Sequence, residues 1–231
     1  MKNLLAIMLF SLLSSAHAGE KEIRLSMQEK FPGIEIGHVI KTPYSGLYEI
    51  IIDGQLLYTD SKGDYLFDGH IIETGSRRDL SEERSKKLFA VDFDKLPLAL
   101  AIKTVKGNGK RKLAQFTDPN CGFCKKLEKE LSQVDNVTIY SFLYPIFNGS
   151  DEIVRDVLCS KNPTKAWDDW MLRGIKPVTA NCATETDKVK ALGRKMRVTG
   201  TPNLIFADGI QNPGYMPADA LEKRLDEASR K

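Results

Sequence analysis

The run FTDPNCGFCKKLEKEL, from Phe116 to Leu131, constrains this chain more than any other stretch. The preceding RKLAQFT reads as an apolar strand, Pro119-Asn120 breaks it, and a charged, helix-like segment opens at Cys121. A strand that turns directly into a helix places Cys121 at the helix N-terminus. There the unpaired N–H groups and the positive end of the helix dipole favour a thiolate. Lys125 and Lys126 are expected to add to that field. Residues i and i+3 share a helix face, so Cys124 can reach a sulfur bonded to Cys121. The pair can form a mixed disulfide and then resolve it.

Two other meanings of C-x-x-C weigh less. Zinc needs two further Cys or His ligands at short spacing. His38 and His70, the histidines outside the N-terminal leader, lie far away in the chain, and Cys159 and Cys182 form no second C-x-x-C. No metal is expected. A purely structural bridge across four residues closes little chain and would stabilise a fold only weakly. The position beside a β–α junction reads as thioredoxin-like redox chemistry. VTGTPNLIF adds Thr201-Pro202 directly before a second apolar strand. X–Pro is the bond at which cis is accessible, and a cis turn there presents the Thr201 backbone for strand-like pairing with a substrate.

The N-terminus carries a leader. Lys2, the apolar run LLAIMLFSLL and SSAHA match the three regions of a secretory signal cut after Ala18. That run is far short of the ~20 apolar residues that span a bilayer, so no membrane insertion is expected after cleavage. The mature chain then holds 33 basic against 31 acidic side chains. This small excess excludes the basic stripe of a nucleic-acid binder, and KGNGKRK (106–112) reads as a solvated turn. The remaining length exceeds one typical domain and points to two.

Residues 19–77 form the first domain, a short helix followed by the β-type runs IEIGHVIK, GLYEIII, QLLYTD, DYLF and HIIET. Asp53-Gly54 and Asp68-Gly69 between these runs are hairpin signals. A unit this small points to dimerisation through a sheet edge. Residues 78–96 read as a charged linker helix, opened by Asp79 with Glu82 three residues on. Residues 97–231 alternate in the α/β manner. LALAIKTV, RKLAQFT, VTIYSFLYP and PNLIFADGIQNPGY give strands, 150–195 is mostly helical, and PADALEKRLDEAS closes as a helix with Pro217 in its first turn. The fold class is therefore α+β in the first part and α/β in the second. Trp167 and Trp170 read as core packing, the two histidines as ordinary, and Tyr215 as a candidate groove residue.

FTDPNCGFCKKL, followed later by GTPNLIFADG and PGYMP, resembles the periplasmic disulfide isomerases of the DsbC/DsbG family over the whole mature chain. Gly122 is closer to the DsbC type, whereas Phe123 departs from the tyrosine usual in both. The resemblance implies a dimerisation domain, a linker helix and a thioredoxin-like catalytic domain with a helical insertion. It implies that Cys121 is the nucleophile, that Cys124 resolves, and that Thr201 and cis-Pro202 bind substrate. It further implies a structural disulfide between Cys159 and Cys182. Misoxidised or unfolded exported proteins are the implied substrates, a DsbD-type membrane reductase the electron donor, and a homodimer the working form; no cofactor is required. Rival readings are a DsbG-like reductase of selected cysteines, a net oxidase, and a chaperone-like binding module whose thiols are incidental.

Overall fold

The computed structural model describes residues 15–44 and 46–230, so the leader lies largely outside it. The chain divides into two compact units between Ser85 and Lys86.

The N-terminal unit begins with helix α1 (Ser15–Lys30). Strands β1 (Ile36–Lys41), β2 (Tyr48–Ile52), β3 (Gln55–Thr59) and β4 (Leu66–Phe67) follow as an antiparallel sheet in that order. The β2–β3 register, Ile52 opposite Gln55, leaves only Asp53 and Gly54 in the turn. Both have positive φ (48° and 67°), as the favoured two-residue hairpin turn requires. Helix α1 lays Ile23 and Met27, one turn apart, against Ile36, Val39 and Ile50.

The second Asp-Gly expectation fails. Asp68-Gly69 turns no hairpin, because β4 pairs back onto β3 while β5 (Ile72–Glu73) pairs with β6 (Arg78–Asp79) around a turn that puts Arg77 at φ 59°. Strands two residues long carry too little alternation to fix a partner. Helix α2 (Leu80–Leu88) follows, and Asp79 Oδ1 accepts the Glu82 N–H at 2.8 Å as its cap. Arg84 on this helix grips the Glu49 carboxylate of β2 with two nitrogens, at 2.6 and 2.9 Å. The two histidines lie beside carboxylates, His38 by Glu49 and His70 by Asp79.

The C-terminal unit opens with short 3-10 turns at Phe93–Lys95 and Leu98–Leu100. LALAIKTV thus starts as a turn and becomes strand only in β7 (Ile102–Lys106). Then come β8 (Arg111–Thr117), α3 (Gly122–Leu131), β9 (Val137–Leu143), α4 (Ser150–Leu158), α5 (Pro163–Arg173), α6 (Thr186–Lys195), β10 (Asn203–Phe206), β11 (Gln211–Pro213) and α7 (Ala218–Ala228). Pro217 is the cap of α7 rather than part of its first turn. The sheet runs β11-β10-β8-β9-β7, with β8 and β9 parallel across the α3 crossover and the other pairs antiparallel. Central strand β8 is buried on both faces, from Leu113 to Thr117. Leu113 packs with Leu127 and Leu131 of α3 and Leu221 and Leu225 of α7. Its neighbours Ala114 and Phe116 face an aromatic cluster of Phe93, Phe142 and Tyr144.

Within the basic run 106–112, Lys106 and Arg111 are structural, while Lys110 and Lys112 stay exposed. Lys106 Nζ donates to the carbonyls of Leu131 (2.5 Å) and Ser132 (2.9 Å), where α3 ends with unpaired acceptors. Arg111 bridges to Glu222 and Asp226 of α7. Lys106 thus fastens the end of α3 to the sheet, fixing the helix whose other end carries the cysteines, and Arg111 fastens α7 to β8.

In the segment between α4 and α6, Cys159 and Cys182 are joined, 23 positions apart, with Cα atoms 5.7 Å apart. On the chain-entropy model this closure stabilises by about 3 kcal/mol. The Cys159→Ala/Cys182→Ala double variant is expected to melt about 10 °C lower in a calorimetric scan. An unchanged melting temperature would show that the bridge does no such stabilising.

Candidate active site

Cys121 caps α3. Its backbone is extended (φ −76°, ψ 119°) and its sulfur accepts the N–H of Cys124 at 3.4 Å, the contact that a serine or aspartate oxygen usually makes at this position. The Cys121 thiol donates in turn to the carbonyl of Thr201 at 3.3 Å. The Thr201–Pro202 peptide is cis, and the Pro202 carbonyl accepts the Gly214 N–H at 2.8 Å just beyond β11. Cys121, Cys124 and Thr201 thus meet at one point, although 80 residues separate the outer two. Cys159 and Cys182 are bonded to each other and take no part in this cluster.

The turn that presents Cys121 is held by a residue the sequence reading passed over. The buried carboxylate of Asp118 accepts four hydrogen bonds. Oδ1 takes the Asn120 N–H and the Ser150 hydroxyl, each at 2.7 Å, and Oδ2 takes the N–H groups of Ile146 (2.7 Å) and Phe147 (3.0 Å). A carboxylate removed from water needs this many donors. The signal was local: an Asp bonding the backbone two residues on, before Pro and Asn, is an Asx turn. Asp118 ties the β8–α3 turn to the loop after β9. On that loop the side chains of Ile146 and Phe147 stand exposed, as does that of Phe123, 64% exposed between the two cysteines. The lysines are placed differently from expectation. Lys125 Nζ lies over the Trp170 ring (4.3 Å) and Lys126 Nζ over that of Tyr215 (4.1 Å), so each ammonium is engaged with an aromatic face. Trp170 also donates its indole N–H to the Pro119 carbonyl (2.7 Å), and the Tyr215 hydroxyl donates to Glu130 (2.8 Å).

The two sulfurs differ in setting. Cys121 keeps 5% of its surface exposed and Cys124 none; both pack with Leu143, Val154, Trp167 and Met171 of the sheet and the inserted helices. Burial pushes the Cys124 thiol up to about 12, against the opposing pull of the Asp118 N–H and the hydroxyls of Thr117 and Thr201. Those two hydroxyl oxygens are buried and make no formed hydrogen bond. Cys124 is therefore a neutral thiol at rest, held one helical turn beneath its partner. A turn further along α3, Oε1 of Glu128 accepts the Trp167 indole N–H (3.0 Å) and the Gln115 amide (2.9 Å), and burial pushes its carboxyl up to about 7.

This arrangement defines a thioredoxin-like protein with a dithiol at a helix N-terminus. Residues 98–229 match the family model described as a thioredoxin-like domain, and residues 14–82 that of the disulfide bond isomerase protein N-terminal domain. A probable thiol:disulfide interchange protein DsbC from Bordetella pertussis is 47% identical over 198 residues, 85% of this chain and 71% of the relative. The DsbC of Salmonella typhimurium is 25% identical, across 95% of this chain and 94% of its own. Among solved structures, a disulfide interchange protein from Neisseria gonorrhoeae superposes with a TM-score of 0.57 at 37% identity, covering 59% of this chain and all of that one. The chain belongs to the DsbC family of thiol:disulfide interchange proteins. It is a thiol–disulfide exchange enzyme. Among the described residues no helix is long and apolar enough to cross a membrane.

Proposed function

We propose that this enzyme works in the periplasm on exported proteins with wrong disulfides, using Cys121 as nucleophile and Cys124 as resolving thiol. The observation that carries this reading is the contrast between the two sulfurs: one caps a helix beside the cis Thr201–Pro202 loop, the other is sealed and neutral beneath it. Cys121 attacks a substrate disulfide, forming a Cys121–substrate bond and releasing one substrate sulfur as thiolate. If a substrate thiolate then attacks the mixed disulfide, the enzyme is regenerated and the substrate is rearranged, with no net change in oxidation. If Cys124 attacks instead, the substrate leaves reduced by two electrons and the enzyme carries a Cys121–Cys124 disulfide. The second route requires an electron donor, for which a DsbD-type membrane reductase is the family's answer.

Thr201 and Pro202 serve as the substrate-binding edge. The Thr201 carbonyl already sits against the Cys121 thiol, within reach of an extended peptide lying across it. Phe123, Ile146 and Phe147 supply apolar contact around the sulfur. The working form is a homodimer made through the N-terminal unit. Short edge strand β4 with exposed Tyr65, Leu66 and Phe67 supports this, since an open sheet edge flanked by apolar side chains invites a second copy. The test is reactivation of scrambled ribonuclease. The enzyme with a reducing donor is expected to restore activity well above the donor alone. Equal recovery in the two would leave simple reduction as the whole activity.

A further inference from the structure

The surface beside Cys121 carries positive charge that the exchange cycle does not use. Resting on the assignment of Cys121 as nucleophile, we propose that Lys125 and Lys126 determine substrate specificity. Their two braced ammonium groups favour polypeptides with an Asp or Glu two or three residues from the cysteine under attack.

The placement follows from the pitch of α3. At about 100° per residue, Lys125 stands about 40° around the helix from Cys121, and Lys126 about 60° from Phe123. Cys124, Leu127 and Leu131 are buried on the other side, whereas Gly122, Phe123, Lys126 and Lys129 are exposed. Both α5 and α7 pack against α3, and each supports one lysine. Lys125 Nζ lies 4.3 Å from the ring centre of Trp170 on α5, and the Trp170 N–H is bonded to the Pro119 carbonyl, just before Cys121. Lys126 Nζ lies 4.1 Å from the ring centre of Tyr215, which directly follows Gly214, the residue whose N–H meets the Pro202 carbonyl. One cation therefore flanks the turn that presents Cys121, and the other flanks the connection joined to the cis-Pro loop.

These cations are not spent on internal pairs. Among the described residues neither ammonium is paired with a carboxylate. Nearby acids are occupied elsewhere: Glu128 by Trp167 and Gln115, Glu130 by the Tyr215 hydroxyl and the Ala218 N–H, and Asp169 by Lys165 and Arg173. A ring face holds an ammonium without consuming its three N–H donors, so both can still grip a carboxylate. The rings also restrain side chains that would otherwise lose rotamer freedom on binding. Positive charge this early in a helix opposes its dipole, and α3 has no acid in its first turn to offset it. The reach fits an extended substrate. Two residues of strand advance about 7 Å, close to the one helical turn, about 6 Å, that separates Lys125 from Cys121.

In the step concerned, the Cys121 thiolate attacks a substrate cysteine sulfur and the Cys121–substrate bond forms. The substrate's own disulfide breaks, and its electron pair leaves on the departing sulfur as a thiolate. The lysines touch neither sulfur. They act on the encounter, drawing in a neighbouring carboxylate and repelling a neighbouring cation, so adduct formation is faster on acidic sequences than on basic ones.

The experiment mixes the reduced full chain with single-cysteine peptides that carry Asp, Asn or Lys at the second residue on both sides of the cysteine. Each peptide is activated as a disulfide with a neutral thiol, and formation of the adduct is timed at neutral pH. At low salt the Asp peptide is expected to react on the order of tenfold faster than the Lys peptide, with the Asn peptide between them. At about 1 M salt, where the screening length falls to about 3 Å, the ratio should drop below about threefold. The Lys125→Gln/Lys126→Gln variant should bring the low-salt ratio to about twofold or less. Lys125→Arg/Lys126→Arg keeps both charges and can stack on both rings, so its ratio should stay above about fivefold. Each ratio compares two peptides on one enzyme, so a change in Cys121 reactivity or in the folded fraction cancels from it. Equal rates for the three peptides on the wild type, an undiminished ratio in the Gln variant, or a ratio lost in the Arg variant would overturn the proposal alone. No adduct with any peptide would overturn the assignment of Cys121 as nucleophile, and this proposal with it.

Discussion

Serine in place of Cys121 is expected to abolish exchange with a peptide disulfide, a loss on the order of 10⁴-fold or more, as removal of a catalytic nucleophile commonly produces. The substitution is informative because it changes the chemistry and little else. Serine is among the preferred helix N-caps, and its oxygen can take over the Cys124 N–H that Cys121 sulfur accepts at 3.4 Å. The Asp118 clamp on the turn does not involve the side chain at 121. The variant should therefore melt near the wild-type temperature while forming no mixed disulfide detectable by mass spectrometry. Residual exchange above a tenth of the wild-type rate would show that another sulfur carries the reaction.

The second large effect belongs to the partner. Cys124→Ala should convert a short-lived intermediate into an accumulating one, with most of the enzyme recovered as a covalent adduct after one exposure to a single-disulfide peptide. No intramolecular thiol remains to attack Cys121, and a peptide without a further cysteine supplies none. Net reduction should fall to background, whereas rearrangement of a substrate rich in cysteines should persist in part, because substrate thiolates can release the enzyme. The side chain removed is fully buried beside Val154 and Trp167. Stability should therefore fall by about 1 kcal/mol for the small cavity left, which urea denaturation would register. Rapid turnover of the single-disulfide peptide, with no adduct, would remove Cys124 from the release step.

How much of this was legible beforehand depended on whether the decisive contact was local. The Cys121 cap joins residues three apart, and the β2–β3 turn needs only Asp53 and Gly54 to accept positive φ; both were readable from the sequence. Asp68-Gly69 carries the same dipeptide but not the same turn, since its flanking strands are two residues long and take partners elsewhere. Lys106 and Arg111 looked like a solvated run because their acceptors lie 25 and more than 100 residues further on. The same distance hid the surroundings of Glu128, whose donors come from β8 and α5. Lys125 and Lys126 stood next to the cysteines in sequence, yet aromatic rings from α5 and the β11–α7 connection hold their charges. Asp118 is the exception. Its Asx turn was local and readable, and its further grip on the loop after β9 was not.

The most direct test is a brief pulse of iodoacetamide on the reduced chain at pH 7, followed by unfolding, a second alkylating label of different mass, and peptide mapping. The pulse should mark Cys121 and leave Cys124 for the second label, because Cys121, at a helix end, keeps 5% of its surface exposed while Cys124 keeps none and is neutral. Equal marking of both cysteines, or Cys124 ahead of Cys121, would contradict the division of roles from which the mechanism follows.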